Sequence, residues 1–133
     1  MTPKVAQTSS PLSETIAYCR GALPAVSRTF ALGIELLKDP LRDEIGVAYL
    51  ICRVLDTIED TTTLPAQARS ALLERWAASF LDGNQWPLLA ADVEAMFSPS
   101  DLTGQDHDLC RNTRHVLRAL PTALMHVQWT PLV

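Results

Sequence analysis

The sequence predicts an all-α protein. Three observations carry the prediction: Ala and Leu dominate while Gly is scarce, prolines fall where helices start, and the apolar residues of the best-defined segment repeat at helical spacing. The chain has 133 residues, 47% of them hydrophobic and 20% charged, with five Gly, which is enough apolar material for one buried core. Its net charge of -4 comes without the clustered Lys and Arg that nucleic-acid binding relies on. No nucleic-acid partner is expected, and small molecules are the better ligands.

Met1 to Ser10 reads as a flexible leader. It holds one Lys and no apolar stretch, so it is neither a secretory signal nor an Arg-rich transit peptide. Ser10-Pro11 opens a helix to about Leu23, which Pro24 interrupts, and a second helix follows from Ala25 to Leu37. Asp39-Pro40 is the cleanest start signal in the chain, an N-cap carboxylate before a proline, for a helix reaching Asp60. Thr61 to Thr63 form a loop. Pro65 then opens a helix to about Leu81, closed by Asp82-Gly83 as a left-handed cap. Trp86-Pro87 begins a shorter helix to Phe97, Ser98-Pro99-Ser100-Asp101 is a loop, and one long helix covers Thr103 to Leu120.

The longest stretch free of Asp, Glu, Lys and Arg, Ala119 to Val133, is shorter than the ~20 apolar residues a bilayer span needs, so a cytoplasmic chain with no transmembrane segment is expected. Cys19, Cys52 and Cys110 are widely spaced with no CxxC pair, which predicts reduced and mostly buried thiols rather than zinc. His107, Cys110 and His115 do not share one helix face and lack a fourth ligand, so the histidines are expected on the surface. Arg111, Arg114 and Arg118 form a basic strip, read as a solvated face or, less simply, as a diphosphate-facing one.

The helix before Asp60 carries the chemistry. A helix turns about 100° per residue, which places Tyr49, Arg53, Asp56 and Asp60 within about 60° of one another. Val47, Leu50, Ile51, Val54, Leu55 and Ile58 take the opposite side and form a core face. Asp56 and Asp60 stand one turn apart, about 6 Å along the axis, where both carboxylates can reach a hard cation. Mg²⁺ keeps several waters and binds through one or two carboxylates plus substrate phosphates, so this pair suits a diphosphate ligand. Arg53 could orient Asp56 or take a phosphate oxygen with its planar fork. The same spacing also describes an ordinary solvated face with a weak ion pair. Against that reading, Tyr49 extends the stripe without a charge partner, and Asp56, Glu59 and Asp60 crowd a helix C-terminus, where the macrodipole disfavours anions.

The string from Tyr49 through Arg53 and Asp56-Thr57-Ile58-Glu59-Asp60 resembles the first aspartate-rich motif of the squalene/phytoene synthase family. Ser27-Arg28-Thr29-Phe30, preceded by Tyr18-Cys19 and followed by Leu41-Arg42-Asp43, is similar to the family's N-terminal pattern in order and spacing. The resemblance covers Ile16 to Phe80 and is faint afterwards. It implies the helical terpenoid-synthase fold, with two aspartate-rich motifs facing each other and Mg²⁺ bridging them to the diphosphates of two prenyl donors, farnesyl or geranylgeranyl. Asp56 and Asp60 would bind Mg²⁺ with Glu59 assisting, and Arg28 and Arg53 would hold phosphates of a prenyl diphosphate or of a nicotinamide cofactor. Ser27, Phe30 and Tyr49 would line the cavity, with Tyr49 stabilising positive charge or relaying a proton. For Tyr49 the simpler role is a half-buried tyrosine beside the core, and for Ser27 a local backbone hydrogen bond. Mg²⁺ is the implied cofactor, and NADPH is a further one for a full-length enzyme in which reduction follows coupling. The form Thr57-Ile58-Glu59-Asp60 looks more like squalene synthases, which favours farnesyl diphosphate, and the apolar product suggests peripheral membrane association.

The chain departs from the family in length. Members are about twice as long, no second Asp-x-x-x-Asp helix occurs here, and Asp101, Asp106 and Asp108 lie near a helix start where N-capping is the simpler role. With the apolar ending Trp129 to Val133, this reads as residues 11–133 being the first part of a domain cut before its second motif, incomplete and inactive alone. The alternatives are a non-catalytic relative acting in assembly, or a helical fragment that needs a partner.

Overall fold

The computed structural model of the chain describes residues 11–98 and 104–123. The leader before Pro11, the loop positions 99–101, Thr103 and the ending Trp129 to Val133 lie outside the described residues. Every regular element among the described residues is a helix: α1 Pro11–Val26, α2 Arg28–Glu35, α3 Leu41–Asp60, α4 Ala66–Ser79, α5 Trp86–Met96, α6 Gln105–Cys110 and α7 Thr113–Ala123, with a 3-10 turn at Gly83–Gln85. The all-α expectation holds.

The central helix is α3, with α1, α2, α4, α6 and α7 packed around it. Its apolar face is buried as the periodicity requires: Leu50, Val54 and Ile58 are fully enclosed, and Val47 and Ile51 nearly so. Trp76 of α4, Leu89 and Val93 of α5, Leu109 of α6 and Val116 and Leu117 of α7 complete the same core. Each such side chain contributes about 1.5–3 kcal/mol on leaving water. The Leu23 side chain of α1 packs against Gly46 of α3, where a Cβ would stand 3.0 Å from Leu23 Cδ1.

Four local expectations are corrected. Pro24 does not end α1, because Ser27 N–H still donates to Leu23 C=O at 2.8 Å and carries the helical ladder past the proline; the chain breaks at Ser27, which is extended. Asp39 is not the cap of α3, since Pro40 takes that position with no side-chain hydrogen bond, and Asp39 instead faces Arg20 and Arg42, each at 3.7 Å. Gly83 is not a left-handed cap: α4 already stops at Ser79 with Phe80 in the right-handed region, and Gly83 begins the 3-10 turn. The single helix expected over Thr103 to Leu120 is two helices, broken at Arg111 and Asn112, with the Thr113 hydroxyl donating to Cys110 C=O at 2.7 Å.

The basic strip stays largely solvated, with Arg114 and Arg118 exposed, while the histidines are placed differently from the expectation. Arg114 Nη1 bonds Glu94 of α5 at 2.7 Å, and Arg111 Nε donates to Phe97 C=O at 2.6 Å, so two of the three arginines fasten α7 and its entry to α5. His115 stacks on Tyr18 with centroids 4.9 Å apart and places Nδ1 3.2 Å from Thr15 Oγ1, inside the α1–α7 contact. His107 tilts against Phe97 at 5.5 Å. Both rings are half-buried. The thiols are free, with Cys19 and Cys110 buried and Cys52 exposed. No helix among the described residues is long and apolar enough to cross a membrane.

Candidate functional site

The polar stripe of α3 opens onto a cleft of about 570 Å³ whose walls are Arg53, Asp56 and Asp60 on one side and Gln105, Asp106 and His107 of α6 on the other. The Thr61 to Thr63 loop closes one end. A smaller cavity of about 230 Å³, between α1, α3 and α7, is lined largely by apolar groups such as Ile16, Leu23 and Val47. The carboxylate pair does not face it.

Asp56 and Asp60 are exposed, and neither carboxylate makes a hydrogen bond or ion pair among the described residues. Two hard oxygen donors one turn apart on an open wall fit a Mg²⁺ ion that completes its shell with water and phosphate. Among the described residues no three His, Cys, Asp or Glu side chains gather as a closed metal cage. Glu59 is exposed and is not part of the cleft wall; its backbone carbonyl accepts from Arg69 Nη1 at 2.6 Å. Arg69 Nε also donates to Leu64 C=O at 3.1 Å, so this arginine supplies a cation where the C-terminus of α3 leaves carbonyls unpaired.

Arg53 is held from across the cleft. Its Nε and Nη2 reach Asp106 Oδ1 at 3.1 and 3.0 Å, and Nη2 reaches Oδ2 at 2.8 Å. Partial burial works against the charged guanidinium, but the hydrogen bonds and charge of Asp106, with smaller help from Tyr49 and Asp56, outweigh it and raise its pKa. Asp106 is therefore not an N-cap: it lies in the first turn of α6, whose cap is Gly104 at φ 119°. A second, neutral network lines the floor. Thr57 Oγ1 donates to Arg53 C=O at 2.7 Å, Thr61 Oγ1 donates to Thr57 C=O at 2.6 Å, and His107 Nε2 lies 3.4 Å from Thr61 Oγ1.

The remaining expected residues sit beside this cleft rather than in it. Ser27 caps α2, its hydroxyl accepting from Phe30 N–H at 3.2 Å, which is the local role its position allows. Phe30, held by that first turn, stacks on Tyr49 at 4.0 Å with the planes 15° apart. Arg28 opens α2 and is exposed. Sequence reasoning thus brought Arg53, Asp56 and Asp60 together correctly and missed Asp106, His107 and Arg69. The only available signal for Asp106 was an acidic group beside a helix start, and nothing local distinguishes a cap from a partner 53 residues away.

The fold and the cleft define an all-α protein that presents a two-carboxylate edge beside an anchored arginine. The chain belongs to the squalene/phytoene synthase family, whose model matches residues 23–130. It is similar to a protein of Arabidopsis thaliana named inactive squalene synthase 2, 38% identical over 79 residues, 59% of this chain and 19% of that one. The Botryococcus squalene synthase of Botryococcus braunii is 42% identical over 73 residues, 55% of this chain and 16% of its own. A squalene synthase of Nicotiana benthamiana is 40% identical over 68 residues, 51% and 16%. The chain thus spans less than a fifth of the length of these relatives. No solved structure matches it significantly.

Proposed function

We propose that this chain supplies the first metal-diphosphate half-site of an enzyme condensing two prenyl diphosphates head to head, with farnesyl diphosphate as the favoured donor. The observation that carries the reading is the pair Asp56 and Asp60, unpaired with any described residue, on a cleft wall shared with Arg53.

Ionising an allylic diphosphate separates a carbocation from pyrophosphate, so positive charge must meet the leaving group. Asp56 and Asp60 would hold Mg²⁺, which supplies that charge when bound. Arg53 adds a fixed guanidinium to the same wall, and the Thr57 and Thr61 hydroxyls, tied to backbone carbonyls, keep the helix end in shape. The stacked Phe30 and Tyr49 rings, one turn before Arg53, are suited to the allylic chain, since an aromatic face stabilises developing positive charge. The Asp56–Asp60 edge is one of the two carboxylate sets that the family resemblance implies, and its role would be to bind one diphosphate.

A second reading is a non-catalytic family relative with a role in assembly. The name of the inactive Arabidopsis relative favours it. Titration calorimetry with farnesyl thiodiphosphate, with and without Mg²⁺, tests the choice on the chain and on its Asp60→Asn variant. The half-site reading expects Mg²⁺-dependent binding that the variant loses. Equal binding by both, or none, sinks it in favour of the second reading.

A further inference from the structure

Arg53 is gripped along one edge only. Asp106 takes Nε and Nη2, and Nη1 makes no hydrogen bond or ion pair among the described residues, while the arginine as a whole lines the cleft with Asp56 and Asp60. A guanidinium has two faces suited to oxyanions, the Nε–Nη2 edge and the Nη1–Nη2 edge. A carboxylate on the first edge fixes the plane and rotation of the group and leaves Nη1 available to a second anion. It also keeps the long side chain from sampling other rotamers, which reduces the entropy lost when that anion binds.

From this we propose that Asp106 is a positioning residue, which sets the Arg53 guanidinium so that Nη1 meets a diphosphate oxygen in the Asp56–Asp60 cleft. The inference rests on the half-site reading above and adds a residue on a different helix. It gives α6 a function beyond packing: the first turn of α6 carries both the carboxylate that grips Arg53 and His107, which faces the Thr61 hydroxyl on the cleft floor. Because the grip is partly exposed, with Arg53 34% and Asp106 39% accessible, its loss should disturb the site more than the fold.

Asp106 could act in the opposite sense, as a competitor that occupies Arg53 until a diphosphate displaces it. The two roles predict opposite signs. A positioning carboxylate leaves affinity lower when removed, and a competing one leaves it higher.

The test is calorimetric binding of Mg²⁺–farnesyl thiodiphosphate to the whole chain and to Asp106→Asn, Asp106→Glu, Arg53→Gln and the double variant Arg53→Gln/Asp106→Asn, with thermal unfolding recorded for each. Positioning predicts that Asp106→Asn weakens binding about tenfold, the worth of one charge-assisted hydrogen bond. It also predicts that Asp106→Glu recovers most of the loss and that Asp106→Asn changes nothing further once Arg53 is Gln. Unchanged or tighter binding by Asp106→Asn overturns the proposal while leaving the half-site intact. An equal loss in the Arg53→Gln background also overturns it, since the carboxylate would then act without Arg53. If the unaltered chain fails to bind, the half-site reading fails and this one falls with it.

Discussion

The ring of Phe30 lies on the ring of Tyr49, with centroids 4.0 Å apart and planes 15° from parallel, and this contact joins α2 to α3 one helical turn before Arg53. Phe30 is 41% exposed, so its value lies in the specific contact more than in burial. A double-mutant cycle of Phe30→Ala and Tyr49→Ala should give a coupling of about 0.5–1 kcal/mol in urea unfolding. Tyr49→Phe should keep the stack and leave the midpoint nearly unchanged. Additive effects of the two alanines would mean that the rings do not support each other.

Gly46 of α3 leaves room for the Leu23 side chain of α1. Gly46→Ala gains helix propensity of up to about 1 kcal/mol but pushes a methyl to 3.0 Å from the end of the Leu23 side chain, which can turn aside, so the net change in stability should stay within about 1 kcal/mol. Gly46→Leu overfills the same crossing and should cost about 1–3 kcal/mol. Chemical denaturation of the two variants checks both.

His115 predicts a pH dependence of stability. Burial, then repulsion from Arg114 and Arg118, lowers its pKa below the ordinary 6.5, with Glu94 and Glu14 opposing. The unfolded chain therefore binds the proton more readily. The stability held by the neutral ring is complete above 6.5 and falls as pH drops through that value toward the folded pKa. The urea midpoint should decline as pH falls below the ordinary 6.5, and His115→Gln should decline less. Identical slopes would show that another group controls the change.

The thiols should react in two classes. Burial, first of all, pushes Cys19 and Cys110 up to about 12, whereas Cys52 is exposed. A thiolate is the nucleophile, so the native chain should react quickly with a disulfide reagent at one thiol only, and denaturation should release the other two. Rapid native labelling of Cys19 or Cys110, located by peptide mapping, would contradict the packing of α1 or α6.

What the sequence made legible follows physical range. The faces of α3 could be read because period 3.6 puts Leu50, Val54 and Ile58 on one side and Arg53, Asp56 and Asp60 on the other, and a single helix carries all the information. The ends of helices were less legible. Pro24 stays inside α1 because a proline in the last turn removes one bond without stopping the next, and Asp39 forgoes capping for two arginines. Long-range partners were not legible at all. Arg53 with Asp106, Arg114 with Glu94, and Thr15 with His115 across 100 residues are decided by how helices pack, which periodicity does not specify. The family resemblance located the α3 stripe but carried no residue of α6.

The central claim is that Asp56 and Asp60 together hold a divalent cation with a diphosphate. Its most direct measurement is electron paramagnetic resonance of Mn²⁺, used as a paramagnetic stand-in for Mg²⁺, titrated into the chain with inorganic pyrophosphate. A bound-ion signal should grow when chain, Mn²⁺ and pyrophosphate are all present and should be lost in both Asp56→Asn and Asp60→Asn. A signal equal in the unaltered chain and in either variant would contradict it.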